Sequence, residues 1–134
     1  MFLTNFNFKM IAPSEKRTTI KFHWYKTDKN WFYHWNNNII VNFDFGNSEM
    51  RIELKNKNFG GDYTIEKQIS KNNTFTTFLV HKKQNGGAVN FKIKLFQNHK
   101  KVIVESENSD KILFINGEVI YDGMKFYRFF EEIE

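Results

Sequence analysis

The sequence predicts a mainly β fold: an antiparallel meander, built as an up-and-down barrel or a two-sheet sandwich, with a short C-terminal α-helix. Three observations carry this. Apolar and polar residues alternate through most of the chain, the pattern of strands with one buried face. Short clusters of Asn, Gly, Asp and Ser interrupt the alternation, leaving little room for the long crossovers that parallel strands need. Only after residue 122 does the apolar period lengthen to that of a helix. A length of 134 residues without internal repeat or long linker fits one domain, 1–134.

The elements follow in order. Phe6, Phe8 and Met10 alternate ahead of Pro13, the single proline. Ile20, Phe22 and Trp24 form the next strand, and Thr27-Asp28-Lys29-Asn30 turns the chain into Trp31, Tyr33 and Trp35. Ile39, Val41, Phe43 and Phe45 lead through Gly46-Asn47-Ser48 into Met50, Ile52 and Leu54. Phe59-Gly60-Gly61-Asp62 is a loop, read as the boundary between two sub-sheets. Beyond it, strands near 63–69, 75–83, 88–96, 101–106, 111–115 and 118–121 alternate with turns. The strongest local signal is Asn116-Gly117, where both residues tolerate positive φ and a two-residue hairpin turn is expected. Phe126, Phe129, Phe130 and Ile133 then lie on one helical stripe, with Asp122 placed as its cap. Glu131, Glu132 and Glu134 oppose the helix dipole, so this helix is expected to depend on docking its Phe face.

Composition excludes several classes. Without cysteine there is no disulfide framework, thiolate nucleophile or Cys-ligated zinc. The start, Met-Phe-Leu-Thr-Asn-Phe-Asn-Phe-Lys, lacks the basic region of a signal peptide, and no apolar run approaches a membrane span. A cytoplasmic location with no membrane partner is expected. The chain holds 17 Asn, 17 Lys, 16 Phe and 13 Ile, all residues of A/T-rich codons, so abundant lysine is weak evidence for nucleic acid. Charge distribution says more. Up to residue 104 there are 17 Lys and Arg against 7 Asp and Glu; beyond it, 3 against 8. Such asymmetry suggests a polyanion-facing surface or a partner with an acidic patch, or an acidic tail that neutralises the basic body.

The richest segment for chemistry is the aromatic run from Lys21 to Trp35. With a four-residue loop at 27–30, regular pairing sets His23 against His34, Tyr25 against Phe32 and Lys26 against Trp31. One face then holds Phe22, Trp24, Tyr33 and Trp35, expected to be core. The other holds Lys21, His23, Tyr25, Phe32 and His34, and offers rings for stacking beside lysines. A second basic group comprises Lys82, Lys83, Lys100 and Lys101 at opposite ends of the strand 88–96, with Lys92 opposite Glu105. Two adjacent histidines can serve as acid and base in RNA cleavage, or bind a metal with a further ligand. No HxH, HExxH or phosphate-loop motif completes such a site, so no catalytic residue, metal or cofactor is assigned.

The expected function is that of a small non-enzymatic binding protein. Its expected partner is RNA or single-stranded DNA, or a nucleic-acid-handling protein complex. The candidate contact residues are Lys21, His23, Tyr25, Lys26, Phe32, His34, Lys82, Lys83, Lys100 and Lys101. A phage- or mobile-element-encoded inhibitor is the setting this class suggests. The alternatives are a lipocalin-like barrel holding a small apolar ligand or carbohydrate, and a histidine-dependent ribonuclease.

Overall fold

The computed structural model describes residues 16–55, 58–84 and 87–123, and only the backbone of residues 30, 31, 37, 83 and 84. Nine strands follow in order: β1 (Arg17–Thr27), β2 (Asn30–Asp44), β3 (Glu49–Glu53), β4 (Gly61–Lys71), β5 (Phe75–Gln84), β6 (Gly87–Phe96), β7 (Lys101–Ser106), β8 (Lys111–Ile115) and β9 (Glu118–Asp122). Each pairs antiparallel with its neighbours. Because β1 hydrogen-bonds both β2 and β8, strands β1 to β8 close into a barrel. Closure decides between the two expected architectures against the sandwich. Nor does the loop at 59–62 separate sub-sheets, since β3 pairs β4 directly, Met50 opposite Tyr63.

Alternation puts the apolar set inside. Ile20, Phe22, Ile39, Phe43, Met50 and Phe114 are fully buried. Eight strands enclose an interior just wide enough for side chains to fill, and rings do much of the filling: Phe22 and Phe114 lie 5.6 Å apart, Phe43 and Phe45 stack at 5.6 Å. Phe59, Tyr63 and Phe91 form a second ring cluster beside the β3–β4 loop, the Tyr63 hydroxyl donating to the Phe59 carbonyl at 2.5 Å. Gly61, at φ 128°, lets the chain enter β4 close to the Lys82 side chain.

The Asn116-Gly117 hairpin does not form. β8 and β9 run in the same direction along one edge of β1, Trp24 opposite Ile115 and Lys21 opposite Glu118, so the chain kinks without reversing. Asn116 alone takes positive φ, 57°. Gly117 serves a different need: a Cβ there would lie 2.6 Å from the His99 carbonyl oxygen and 2.8 Å from a Phe22 ring carbon. Its N–H donates to the Lys100 carbonyl at 3.1 Å. The tertiary demand outweighs the local turn preference, because β1 is twice the length of β8 and its remaining edge groups need a partner, which β9 supplies. Asp122 ends β9 and accepts from the Thr18 hydroxyl at 3.2 Å, and the helix it was expected to cap lies beyond it, outside the described residues. The strand expected at 6–10 and the helical stripe Phe126, Phe129, Phe130, Ile133 lie outside the described residues.

Candidate functional site

β2 is a single strand of 15 residues that carries both alternating sets, Trp31 to Trp35 and Ile39 to Phe43. Its segment Ile40–Asp44 pairs β3, while residues 30–35, among the described residues, pair only β1 and reach past the end of β3. Two irregularities interrupt the β1–β2 ladder. Between Phe22↔Ile39 and Trp24↔Trp35, Asn36, Asn37 and Asn38 face His23 alone; between Tyr25↔His34 and Thr27↔Asn30, Trp31, Phe32 and Tyr33 face Lys26 alone. Extra residues of this kind bend a strand and re-aim its side chains.

The consequence is an exchange of faces beyond Phe22. Tyr25, opposite the buried Phe114, packs against the core, and His34 stacks on its ring at 5.0 Å. Trp24 pairs with Ile115 on one side and Trp35 on the other, and Trp35 is 59% exposed. Phe32 is 77% exposed and Tyr33 46%. The expected core face thus supplies the exposed Tyr33 and Trp35, and the expected contact residue Tyr25 belongs to the core. The His23–His34 pair does not form either. Tyr25 occupies the place opposite His34, and His23 stacks on Trp35 at 5.2 Å, its Nε2 3.7 Å from Glu118.

The second basic group divides. Lys82 turns inward and is 9% exposed; its ammonium donates to the Gly60 carbonyl at 2.5 Å and lies 5.6 Å from the Tyr63 ring centre. Burial holds its pKa below the ordinary lysine value. Its role is to tie the β3–β4 loop to the barrel, not to meet a ligand outside it. Lys83 pairs Ala88 along the backbone. Lys100 is exposed beside the β6–β7 turn, and Lys101 lies opposite Ile115 with its ammonium 4.9 Å over the Phe96 ring.

β8 joins what the sequence held apart. Across β6, β7, β8 and β1 one outward row reads Lys94, Ile103, Leu113, Lys26; the next, from β7 to β2, reads Lys101, Ile115, Trp24, Trp35. Ammonium groups stand over rings here: Lys26 over Tyr33 at 5.5 Å and Lys94 over Phe75 at 5.1 Å, in addition to Lys101 over Phe96. A depression of about 240 Å³ lies between, lined by Lys26, Thr27, Asp28, Ile103, Lys111 and Leu113. Two acidic residues stand among these lysines: Asp28 in the lining of the depression, and Glu105, 4.0 Å from Lys111 and opposite Lys92.

The outside of β2 to β4 has the opposite character. It carries Asp44, Glu49, Glu53, Asp62 and Glu66, with Arg51 bound to Asp62 at 2.7 Å and His81 to Glu66. Among the described residues, the acidic side chains of β2 to β4 therefore lie on a different barrel face from the lysines of β6 to β8. Sequence reasoning missed Trp24, Tyr33, Trp35, Lys94 and Lys111 as site residues. One signal could have found the first three: three consecutive asparagines, poor strand formers, mark where the alternation breaks.

Among the described residues, no group of three or more His, Asp or Glu is placed to hold a metal, and no helix is long and apolar enough to cross a membrane. Fold and site together define a closed antiparallel barrel with a ring- and lysine-bearing outer face. Comparison with protein-family models, curated proteins and solved structures finds no match to this chain.

Proposed function

We propose that this chain is a non-enzymatic binding protein that takes nucleic acid, alone or within a nucleoprotein complex, on the outer face of β6, β7, β8, β1 and β2. The observation that carries the reading is the recurrence of lysine over an aromatic ring, at Lys26, Lys94 and Lys101, on the face that also exposes Tyr33 and Trp35. Rings stack on bases, worth about 1–3 kcal/mol per base, and lysines neutralise phosphates and release counterions. Storage of a ligand inside the barrel is less well supported, because Phe22, Phe43, Phe114 and their neighbours fill the interior. A histidine-dependent ribonuclease is also less well supported, since His23 and His34 stack on separate rings.

Titration with single-stranded RNA and DNA at low salt, followed by tryptophan emission, tests this. Binding that weakens steeply as salt rises is expected. No response to either strand would remove direct nucleic-acid recognition, and affinity purification with both protein and nucleic acid identified would then test the nucleoprotein form.

A further inference from the structure

We infer that the ligand of this face is single-stranded and crosses the strands from Lys101 on β7 to Trp35 on β2, covering about four nucleotides. The inference rests on the nucleic-acid reading above and specifies the substrate and its path.

Three features of the geometry support it. The row Lys101, Ile115, Trp24, Trp35 spans three neighbouring strand pairings. At about 4.8 Å per strand that is about 14 Å, or about four steps at the roughly 3.4 Å spacing of stacked nucleotides. Ring systems stand at both ends: Phe96 under Lys101 at one, and at the other Trp35, packed edge-on against Trp24 at 5.1 Å and stacked on His23. Base faces are free to meet such rings in a single strand, whereas a duplex hides them within its own stack. One way for strands to read a duplex is a two-stranded ribbon inserted in the major groove. The β1–β2 hairpin is not a free ribbon: β1 pairs β8 as far as Thr27↔Ile112, and the Asp28 N–H donates to the Lys111 carbonyl at 3.3 Å. It is a wall of the barrel. A path along the strands would leave the lysines of β7 and β8 beside the ligand and not beneath it.

Lys101 lies on this path, and Lys26 and Lys94 lie one outward row away. Three neutralised phosphates on a single strand give a log–log salt slope of about −2.1, a loss of about 20-fold in affinity between 50 and 200 mM salt.

The experiment is a length series of oligo-dT and oligo-U from two to twelve nucleotides, with RNA and DNA duplexes of twenty base pairs, measured with the full chain and with Trp35→Ala, Phe96→Ala and Lys101→Gln. Melting curves establish that each variant is folded. Affinity should climb to about four nucleotides and then rise only as the number of equivalent registers. Trp35→Ala and Phe96→Ala should each weaken the hexamer by about 5- to 150-fold, and Lys101→Gln should reduce the salt slope by about 0.7. Duplexes bound as tightly as single strands, or affinity still climbing steeply at ten nucleotides, or a folded Phe96→Ala that binds unchanged, would overturn the path while leaving the nucleic-acid reading in place. Absence of binding by every probe at low salt would overturn both the path and direct nucleic-acid recognition.

Discussion

The exchange of faces in the β1–β2 hairpin can be tested by removing single rings. Tyr25 is half-buried against the core, opposite Phe114 and stacked on His34. Full removal of a buried large aromatic costs about 3–5 kcal/mol, so for a half-buried ring Tyr25→Ala should cost about 2–3 kcal/mol. Trp35 is mostly exposed and keeps two ring contacts, with His23 and Trp24, each worth about 0.5–1.5 kcal/mol at most. Exposure of Trp35 on one side weakens both, and Trp35→Ala should cost about 1 kcal/mol. Phe32→Ala, at the most exposed of the described rings of the hairpin, should stay within about 0.5 kcal/mol of the parent. Urea unfolding at neutral pH measures all three. For a domain of this size each kcal/mol moves the Tm by about 3–5 °C, so Tyr25→Ala should melt about 6–15 °C low. Binding should show the reverse order, with Trp35→Ala impaired while folded. If Trp35→Ala unfolds as readily as Tyr25→Ala, or if Tyr25→Ala is neutral, the hairpin alternates regularly through Trp24 and the exchange is refuted.

Gly117→Ala should destabilise by about 1–3 kcal/mol through overpacking against the His99 carbonyl and Phe22, and Gly117→Asn by more; a tolerated Asn would be the signature of a hairpin turn at positive φ instead. Lys82 binds its proton less tightly folded than unfolded, so its charge opposes folding and stability should rise as pH climbs toward the ordinary lysine value of about 10.4. Relative to Lys82→Met, the parent should gain stability over that range in denaturant titrations. Burial raises the Tyr63 phenol instead, so its contribution is present below the unfolded value of about 10 and lost above it; Tyr63→Phe should remove that alkaline loss.

Most of the barrel was legible because it follows from alternation. The β5–β6–β7 ladder runs at the register that the turns imply, Lys92 opposite Glu105 and Lys83 opposite Ala88. There the turn chemistry and the apolar pattern agree. They disagree at Asn116-Gly117, where local preference asks for reversal and the open edge of β1 asks for continuation. A single sequence does not reveal an unpartnered edge on a strand more than ninety residues away. Closure was equally hidden, since it rests on β1 meeting β8, a pairing between the two ends of the meander. The site suffered from the same locality. Regular pairing from Thr27↔Asn30 gives the correct partner at the hairpin tip and the wrong one from Tyr25 onward, because each irregularity adds two residues to β2. The lysines of β6 and β7 stand far from the hairpin in sequence, and β8 sets them beside it.

The three asparagines therefore connect sequence to site more directly than any aromatic residue does. Asn36, Asn37 and Asn38 hold the extra length of β2 opposite His23, and the Asn36 side-chain oxygen accepts from the Asn38 N–H at 2.9 Å, closing a local turn within the strand. Without this extra length, Ile39 opposite Phe22 and Trp35 opposite Trp24 would belong to one regular ladder. Alternation would then carry Trp24 and Trp35 inward behind Phe22 and turn Tyr25 out. Deleting Asn36 and Asn37 imposes that ladder, because the remaining pairings on both sides then share one register. The interior at that level keeps Phe22 and Phe114, and two indoles would take the space that the single Tyr25 ring leaves, so overpacking should cost about 1–3 kcal/mol or more. Tryptophan emission should shift to the blue as Trp35 leaves solvent, and oligonucleotide binding should be lost in whatever fraction remains folded. A deletion variant with parental emission and parental affinity would show that the outward face of the hairpin is set elsewhere, by the pairing of β1 with β8.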